Sequence, residues 1–231
     1  MRHHAEGVQT LFVDAARRDG RMRELIERAE AAKVVVQAVD ERRLQAMAGH
    51  DRHQGVVAVV DSTLPHVTLE DVLESASEPQ LLLILDGVTD PHNLGACLRS
   101  ADAFGVHALI VPKDRAVGVN ATVAKTASGA ADTVPVVSVT NLARAMRALK
   151  ERGIWLVGAD AEGGENLFDA ELSGPLAWVL GAEGSGLRRL TRELCDRVVS
   201  IPLGGSVSSL NVSVAAGVCL FETRRQRAQA K

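Results

Sequence analysis

From Leu81 onward the chain repeats one pattern, a short run of nearly unbroken apolar residues followed by a longer stretch of helical composition. The runs are LLLIL (81–85), VHALIV (106–111), TVPVVSV (133–139), IWLVGA (154–159), LAWVLG (176–181) and RVVSIPL (197–203). A strand with one face in water alternates apolar and polar residues, whereas a strand covered on both faces reads as a continuous apolar run. Such runs spaced by helices predict an α/β fold: a mostly parallel sheet with helices on both faces and ligand chemistry in the loops at the carboxyl ends of its strands.

The first third reads differently. Short runs VQTLFV, KVVVQAV and GVVAVV are separated by charged stretches of helical composition, which predicts a small α/β domain over residues 1–62. Residues 63–80 are polar and acidic and contain Pro65 and Pro79, so they are expected to form a linker with one or two helical turns before a domain spanning 81–231.

Composition narrows the class. Hydrophobic residues make up 46% and charged residues 24% of the 231 positions, ordinary for a packed globular chain. No stretch approaches the roughly 20 apolar residues that cross a bilayer, and MRHHAEGVQ has no apolar leader core. Cys97, Cys195 and Cys219 have no CxxC spacing and sit among apolar residues, so they are expected to be reduced. A cytoplasmic location away from membranes follows as the expectation. The net charge of -3 does not suggest a nucleic-acid partner, but it is unevenly spread. Lys and Arg against Asp and Glu number 10 to 9 over residues 1–60, 1 to 8 over 61–112 and 15 to 12 over 113–231, which leaves a basic surface at the two ends possible.

Three loops after predicted strands are rich in Gly, Asn or Ser. In DGVTDPHNLGACLRSADAFG (86–105), Asn93 is placed to cap a helix with the apolar stripe Leu94, Cys97, Leu98 and Ala101, and Arg99 falls roughly opposite that stripe. Taken alone, Asn93 is a cap and Arg99 a solvated side chain. LGAEGSGLRRLT (180–191) has glycines spaced G-x-x-G-x-G around Glu183, which suits either a plain turn or close backbone approach to a ligand, and it is not the dinucleotide fingerprint. IPLGGSVSSLNVSVAAGVCLFE (201–222) runs a Gly-Ser loop into a helix, where Ser208 or Ser209 serves as a cap or as part of an anion site. Leu210, Val212, Val214, Val218, Cys219 and Leu220 spread apolar surface almost all round that helix, so it is expected to be covered by the sheet on one side and a second subunit on the other.

In order along the chain, N-x-x-x-x-x-R, G-A-E-G-x-G-L and I-P-L-x-x-x-x-x-S-L-N resemble the three motifs of the SpoU branch of the SPOUT RNA 2'-O-ribose methyltransferases, with dense similarity from about Leu81 to Arg227. The resemblance implies a trefoil knot in the last third of the catalytic domain, S-adenosylmethionine as methyl donor, no metal, and an active site at a homodimer interface. By motif position it assigns the donor to Leu180, Gly181, Ile201, Leu203, Ser209 and Leu210, and the reacting centre to Asn93, Arg99, Glu183, Ser209 and Asn211. The small domain is similar to ribosomal protein L30e and lacks the strand-turn-helix with which that domain usually opens.

The resemblance also implies large-subunit ribosomal RNA as the substrate, probed by residues 1–60 together with Arg188, Arg189, Arg192, Arg224, Arg225 and Arg227. The competing readings are a transfer-RNA guanosine methyltransferase, a nucleotide-binding oxidoreductase on a similar sheet, and a non-catalytic RNA-binding relative.

Overall fold

The computed structural model describes residues 8–49, 53–60, 67–75, 79–114, 116–182, 184 and 186–230. The chain divides into two compact units, Met1–His66 and Val67–Lys231.

The first unit is built from β1 (Val8–Asp14), α1 (Gly20–Ala31), β2 (Val35–Val39), α2 (Glu41–Ala48) and β3 (Val56–Val60). Its sheet has the order β2-β1-β3, with β2 parallel and β3 antiparallel to β1. Both helices begin where an aspartate accepts an otherwise orphaned amide, Asp19 from Met22 at 3.1 Å and Asp40 from Arg43 at 2.8 Å. Alternate β1 residues Leu11 and Val13 bury against Met22, Ala29 and Val34 to form the core.

The second unit runs α3 (Leu69–Ser75), β4 (Leu81–Asp86), α4 (Pro91–Ala103), β5 (Ala108–Pro112), α5 (Ala121–Ala127), β6 (Val136–Val139), α6 (Leu142–Glu151), β7 (Trp155–Ala159), β8 (Glu165–Asn166), β9 (Leu176–Gly181), α7 (Arg189–Leu194), β10 (Arg197–Ser200) and α8 (Val212–Gln229). Seven strands lie in the order β6-β5-β4-β9-β7-β10-β8, and every neighbouring pair is parallel. The central strand β4 explains why its sequence is apolar throughout. Leu81, Leu83 and Leu85 face Leu94, Leu98, Cys219 and Leu220 of α4 and α8, while Leu82 and Ile84 face Leu142, Met146 and Leu149 of α6. All five are fully buried, and each contributes about 1.5–3 kcal/mol relative to exposure. Leu69 and Val72 of α3 join the second of these layers, so this part of the expected linker packs as a helix into the catalytic unit.

The predicted strand 197–203 stops at Ser200, because Pro202 has no amide to extend the ladder and residues from Ile201 onward turn away to line a cleft. The two-residue edge strand β8 was not anticipated. β10 is inserted between β7 and β8, which are themselves joined by residues 160–164. This strap crosses β10 so closely that a Cβ on Gly163 would lie 2.4 Å from the carbonyl carbon of Val199 and 2.6 Å from the amide nitrogen of Ser200. Helix α8 is fastened to the sheet by Trp178, whose Nε1 donates to Thr223 Oγ1 at 2.9 Å.

Candidate active site

The carboxyl ends of β7, β9 and β10 open on one cleft of about 1010 Å³. Leu180 and Gly181 contribute from the end of β9, Ile201, Leu203, Ser209 and Leu210 from the loop after β10, and Val212 and Ala215 from the first turns of α8. All six residues assigned to the donor by motif position therefore line the same cavity. A fourth loop, absent from the sequence-based site, completes it: Ala159, Asp160 and Glu162 after β7, joined by Arg192. The signal for it was present, since IWLVGA is a predicted strand whose carboxyl end obeys the same rule as the others.

Gly181 is required by close backbone approach. A Cβ there would lie 1.9 Å from the carbonyl oxygen of Gly186, because the chain folds back on itself and the Gly186 amide donates to Ala182 O at 3.0 Å. The cleft combines apolar side chains (Leu180, Ile201, Leu203, Leu210), turn backbone and two carboxylates, Asp160 and Glu162. That mixture fits a nucleoside-bearing donor such as S-adenosylmethionine: apolar walls for the adenine and backbone groups for its edges.

Asn93 and Asn211 meet beside this cleft. Asn211 Nδ2 donates to Asn93 Oδ1 at 2.9 Å, and Asn211 is flanked in sequence by the lining residues Leu210 and Val212. Asn93 is not the cap that was expected. Asp90 is the N-cap of α4, accepting from the His92 amide, and Pro91 occupies the first turn, where a missing amide hydrogen costs nothing. Asn93 is thereby carried into the helix and buried, with the oxygen of its amide taken by Asn211 and its NH2 the group it can offer a substrate. Ser209 is likewise not a cap: Asn211 holds that position for α8, its Oδ1 accepting from the Ser213 amide at 2.9 Å and hydroxyl at 2.6 Å. Ser209 is exposed in the loop and lines the cleft.

Arg99 is exposed on α4 and does not line the cleft. Six helical positions separate it from Asn93, so the two side chains leave the axis about 120° apart. Glu183 lies outside the described residues.

Five of the six arginines expected to face RNA are instead committed to the protein itself. Arg227 is buried and donates to three carbonyls, Pro79 at 2.8 Å, Gln80 at 3.0 Å and Gly174 at 2.7 Å. Arg224 donates to Phe104 O at 2.5 Å and Gly105 O at 3.2 Å, and Arg225 pairs with Glu222 at 2.6 Å. Arg188 donates from two nitrogens to Asp86, and Arg192 pairs with Asp160 at 3.0 Å. Arg189 is the most exposed of the six, its side chain 90% exposed and paired only with Glu193 on its own helix, at 3.5 Å. The correction has a simple cause: carbonyls and carboxylates at helix and strand ends need donors, and guanidinium groups supply several at once.

The loops after β7, β9 and β10 thus gather at one cleft of a parallel sheet, with Asn93 of α4 bonded to Asn211 beside it. The SpoU rRNA Methylase family model matches residues 80–221, the model for RNA 2'-O ribose methyltransferase substrate binding matches residues 1–64, and the chain belongs to the SpoU rRNA methylase family. Among its relatives, the 23S rRNA (guanosine-2'-O-)-methyltransferase RlmB of Ralstonia nicotianae is 57% identical over 98% of this chain and 91% of its own length. That of Nitrosomonas europaea is also 57% identical, over 99% of this chain and 88% of its own. Among solved structures, the SpoU methyltransferase AviRb from Streptomyces viridochromogenes in complex with AdoMet superposes with a TM-score of 0.83 at 33% identity, covering 96% of this chain and 84% of that one.

Proposed function

We propose that this protein transfers the methyl group of S-adenosylmethionine to the 2'-hydroxyl of a guanosine in 23S ribosomal RNA, acting in the cytosol. The observation that carries the reading is the gathering of Leu180, Gly181, Ile201, Leu203, Ser209 and Leu210 around one cleft, with Asn93 and Asn211 bonded beside it, in a chain similar over nearly its whole length to enzymes of that name. When bound, the donor supplies a methyl group activated by its sulfonium. The residues then have two tasks, to align the ribose oxygen with that methyl carbon and to manage the hydroxyl proton.

Backbone at Leu180, Gly181, Ile201, Leu203 and Leu210 holds the donor, and Ser209 fixes the wall of its pocket. Asn93 orients the ribose through its free NH2, with Asn211 holding that amide in place. Arg99 is not a base, since a guanidinium has no acceptor to take a proton. It grips the neighbouring RNA phosphate with two parallel hydrogen bonds and stabilises developing negative charge on the ribose oxygen, while phosphate or water takes the proton. Glu183 pairs with Arg99 or sets the position of its loop.

The protein works as a homodimer in this reading. Val214 and Phe221 leave 51% and 58% of their surface exposed on α8, and Phe221 meets Phe104 edge-on with ring centroids 6.2 Å apart. This apolar stripe lies on the helix that packs along α4, which carries Arg99, and a second copy seated there brings its own cleft toward that arginine. A trefoil knot completes the account. It is supported by β10 lying beneath the strap 160–164 and by the likeness to SpoU structures.

Substrate selection falls to residues 1–60 and to Arg189, through phosphate and shape contacts, because two Trp, four Phe and no Tyr leave few stacking platforms. The test is to incubate the protein with labelled donor and with 23S ribosomal RNA or transfer RNA lacking their 2'-O-methyl groups, then map the product by mass spectrometry. A single 2'-O-methylguanosine in 23S RNA is expected. Label on a base, or on transfer RNA alone, contradicts the proposal.

A further inference from the structure

Asp160, which lines the cleft, and the buried Asp86 are each met by an arginine from one short stretch, Arg188–Arg192. Asp86 ends β4, and its side chain is fully buried. Its two oxygens accept from Arg188 Nε and Nη2, and Oδ2 also accepts from Thr191 Oγ1 at 2.5 Å. In the sheet Asp86 stands directly opposite Gly181, the residue at which the β9 loop begins. Asp160 follows β7. Its Oδ2 pairs with Arg192 at 3.0 Å, Arg192 also donates to Glu162 O at 2.9 Å, and the same carboxylate oxygen would lie 3.2 Å from a Cβ on Gly186. Arg188, Thr191 and Arg192 are spaced three and four apart and share one face of the turn that opens α7.

A buried carboxylate needs several donors to offset its lost hydration, and Asp86 has three. A bidentate guanidinium also fixes direction, which a point charge does not. Gly181 is thus held by the β4–β9 ladder and Arg188 by Asp86, and the Asp160 carboxylate stands on the side where Gly186 would carry a Cβ.

We propose that α7 is a clamp on the donor cleft, in which Arg188 on Asp86 and Arg192 on Asp160 are positioning residues that hold the paired Ala182 and Gly186 and the strap 160–164 in place for donor binding. The inference rests on the donor reading of the cleft given above. It places these arginines in donor affinity and removes them from RNA contact.

The experiment compares the full-length protein with Arg188→Lys, which keeps charge and loses the fork, with Arg192→Lys, and with Thr191→Val, which keeps the ion pair and the side-chain shape. Three quantities are measured for each: residue-level hydrogen exchange of the Gly186 amide without donor, calorimetric affinity for S-adenosylmethionine, and melting temperature. Arg188→Lys and Arg192→Lys are expected to speed Gly186 exchange and to weaken donor binding about tenfold, with Thr191→Val causing a smaller change of the same sign. Turnover at saturating donor falls far less than donor affinity. Lower melting temperatures with unchanged Gly186 exchange and unchanged donor affinity overturn the clamp. If wild-type protein binds no S-adenosylmethionine, the donor reading fails by itself, and an unmoved Gly186 exchange rate in the variants then refutes the clamp separately.

Discussion

Asn93 and Asn211 stand 118 positions apart in the chain and 2.9 Å apart in space, and nothing in either local sequence announces that contact. What could be read was the residue type at each loop; what could not was the direction each side chain takes. Gly181 shows the difference in energetic terms. Gly181→Ala drives a methyl group into Gly186 O, so the turn must open, and S-adenosylmethionine affinity measured by calorimetry is expected to drop more than tenfold with the sheet intact by circular dichroism. Arg99→Lys is expected to behave in the opposite way. It loses the planar fork, so turnover on ribosomal RNA falls at least tenfold while donor affinity stays near normal. Full turnover by that variant in a single-turnover assay contradicts the phosphate role. Asp86 and Asp160 escaped the sequence reading because a carboxylate at a strand end looks like a turn residue until its partners, up to 105 positions away, are known.

Among the elements, the six apolar runs were legible as strands because parallel strands buried on both faces leave no polar alternation to confuse the signal. Their ends were less so: TVPVVSV begins pairing only at Val136, beyond Pro135, and RVVSIPL stops before Pro202. Helix α8 was expected to be covered all round, and the structure divides its circumference between the sheet side, where Val212, Ala216, Cys219 and Leu220 bury, and a side left open at Val214 and Phe221. Phe221→Asp is expected to convert a dimer to monomers in light scattering coupled to gel filtration. A monomeric wild type, or a variant still dimeric, counts against the second subunit. At the far end of the same helix, Arg227→Met strips donors from three carbonyls, and chemical denaturation is expected to register a loss of about 3 kcal/mol or more. A loss under about 1 kcal/mol shows that water replaces the guanidinium there.

The whole molecule divides into two units at His66 and Val67, whereas the sequence pattern changes near residue 80, because the α3 segment packs with the second unit. Its charge, in contrast, misled. Six arginines of its C-terminal part were expected to meet RNA, yet five of them bond to the protein itself. This has a consequence for acid stability. Arg225 holds the Glu222 carboxyl below the usual carboxylate range, with help from Gln226, and hydrogen bonds from Ser173 and Thr68 do the same for Glu171 and Asp71. A depressed folded-state value means that the unfolded chain binds protons first. The stabilisation is complete above the ordinary carboxylate range and fades as pH falls through the lower folded values. Melting temperatures between pH 6 and pH 3 are expected to fall more steeply for wild type than for Arg225→Gln, and parallel curves contradict the assignment.

The central claim is that one cleft, walled by the loops after β7, β9 and β10, receives the methyl donor. Its most direct test is photo-crosslinking of radiolabelled S-adenosylmethionine to the full-length protein, followed by peptide mapping. The account predicts label confined to peptides containing Leu180–Gly181 and Ile201–Leu210 and competed away by unlabelled donor. Label that concentrates in residues 1–60, or on α6 away from the cleft, contradicts it.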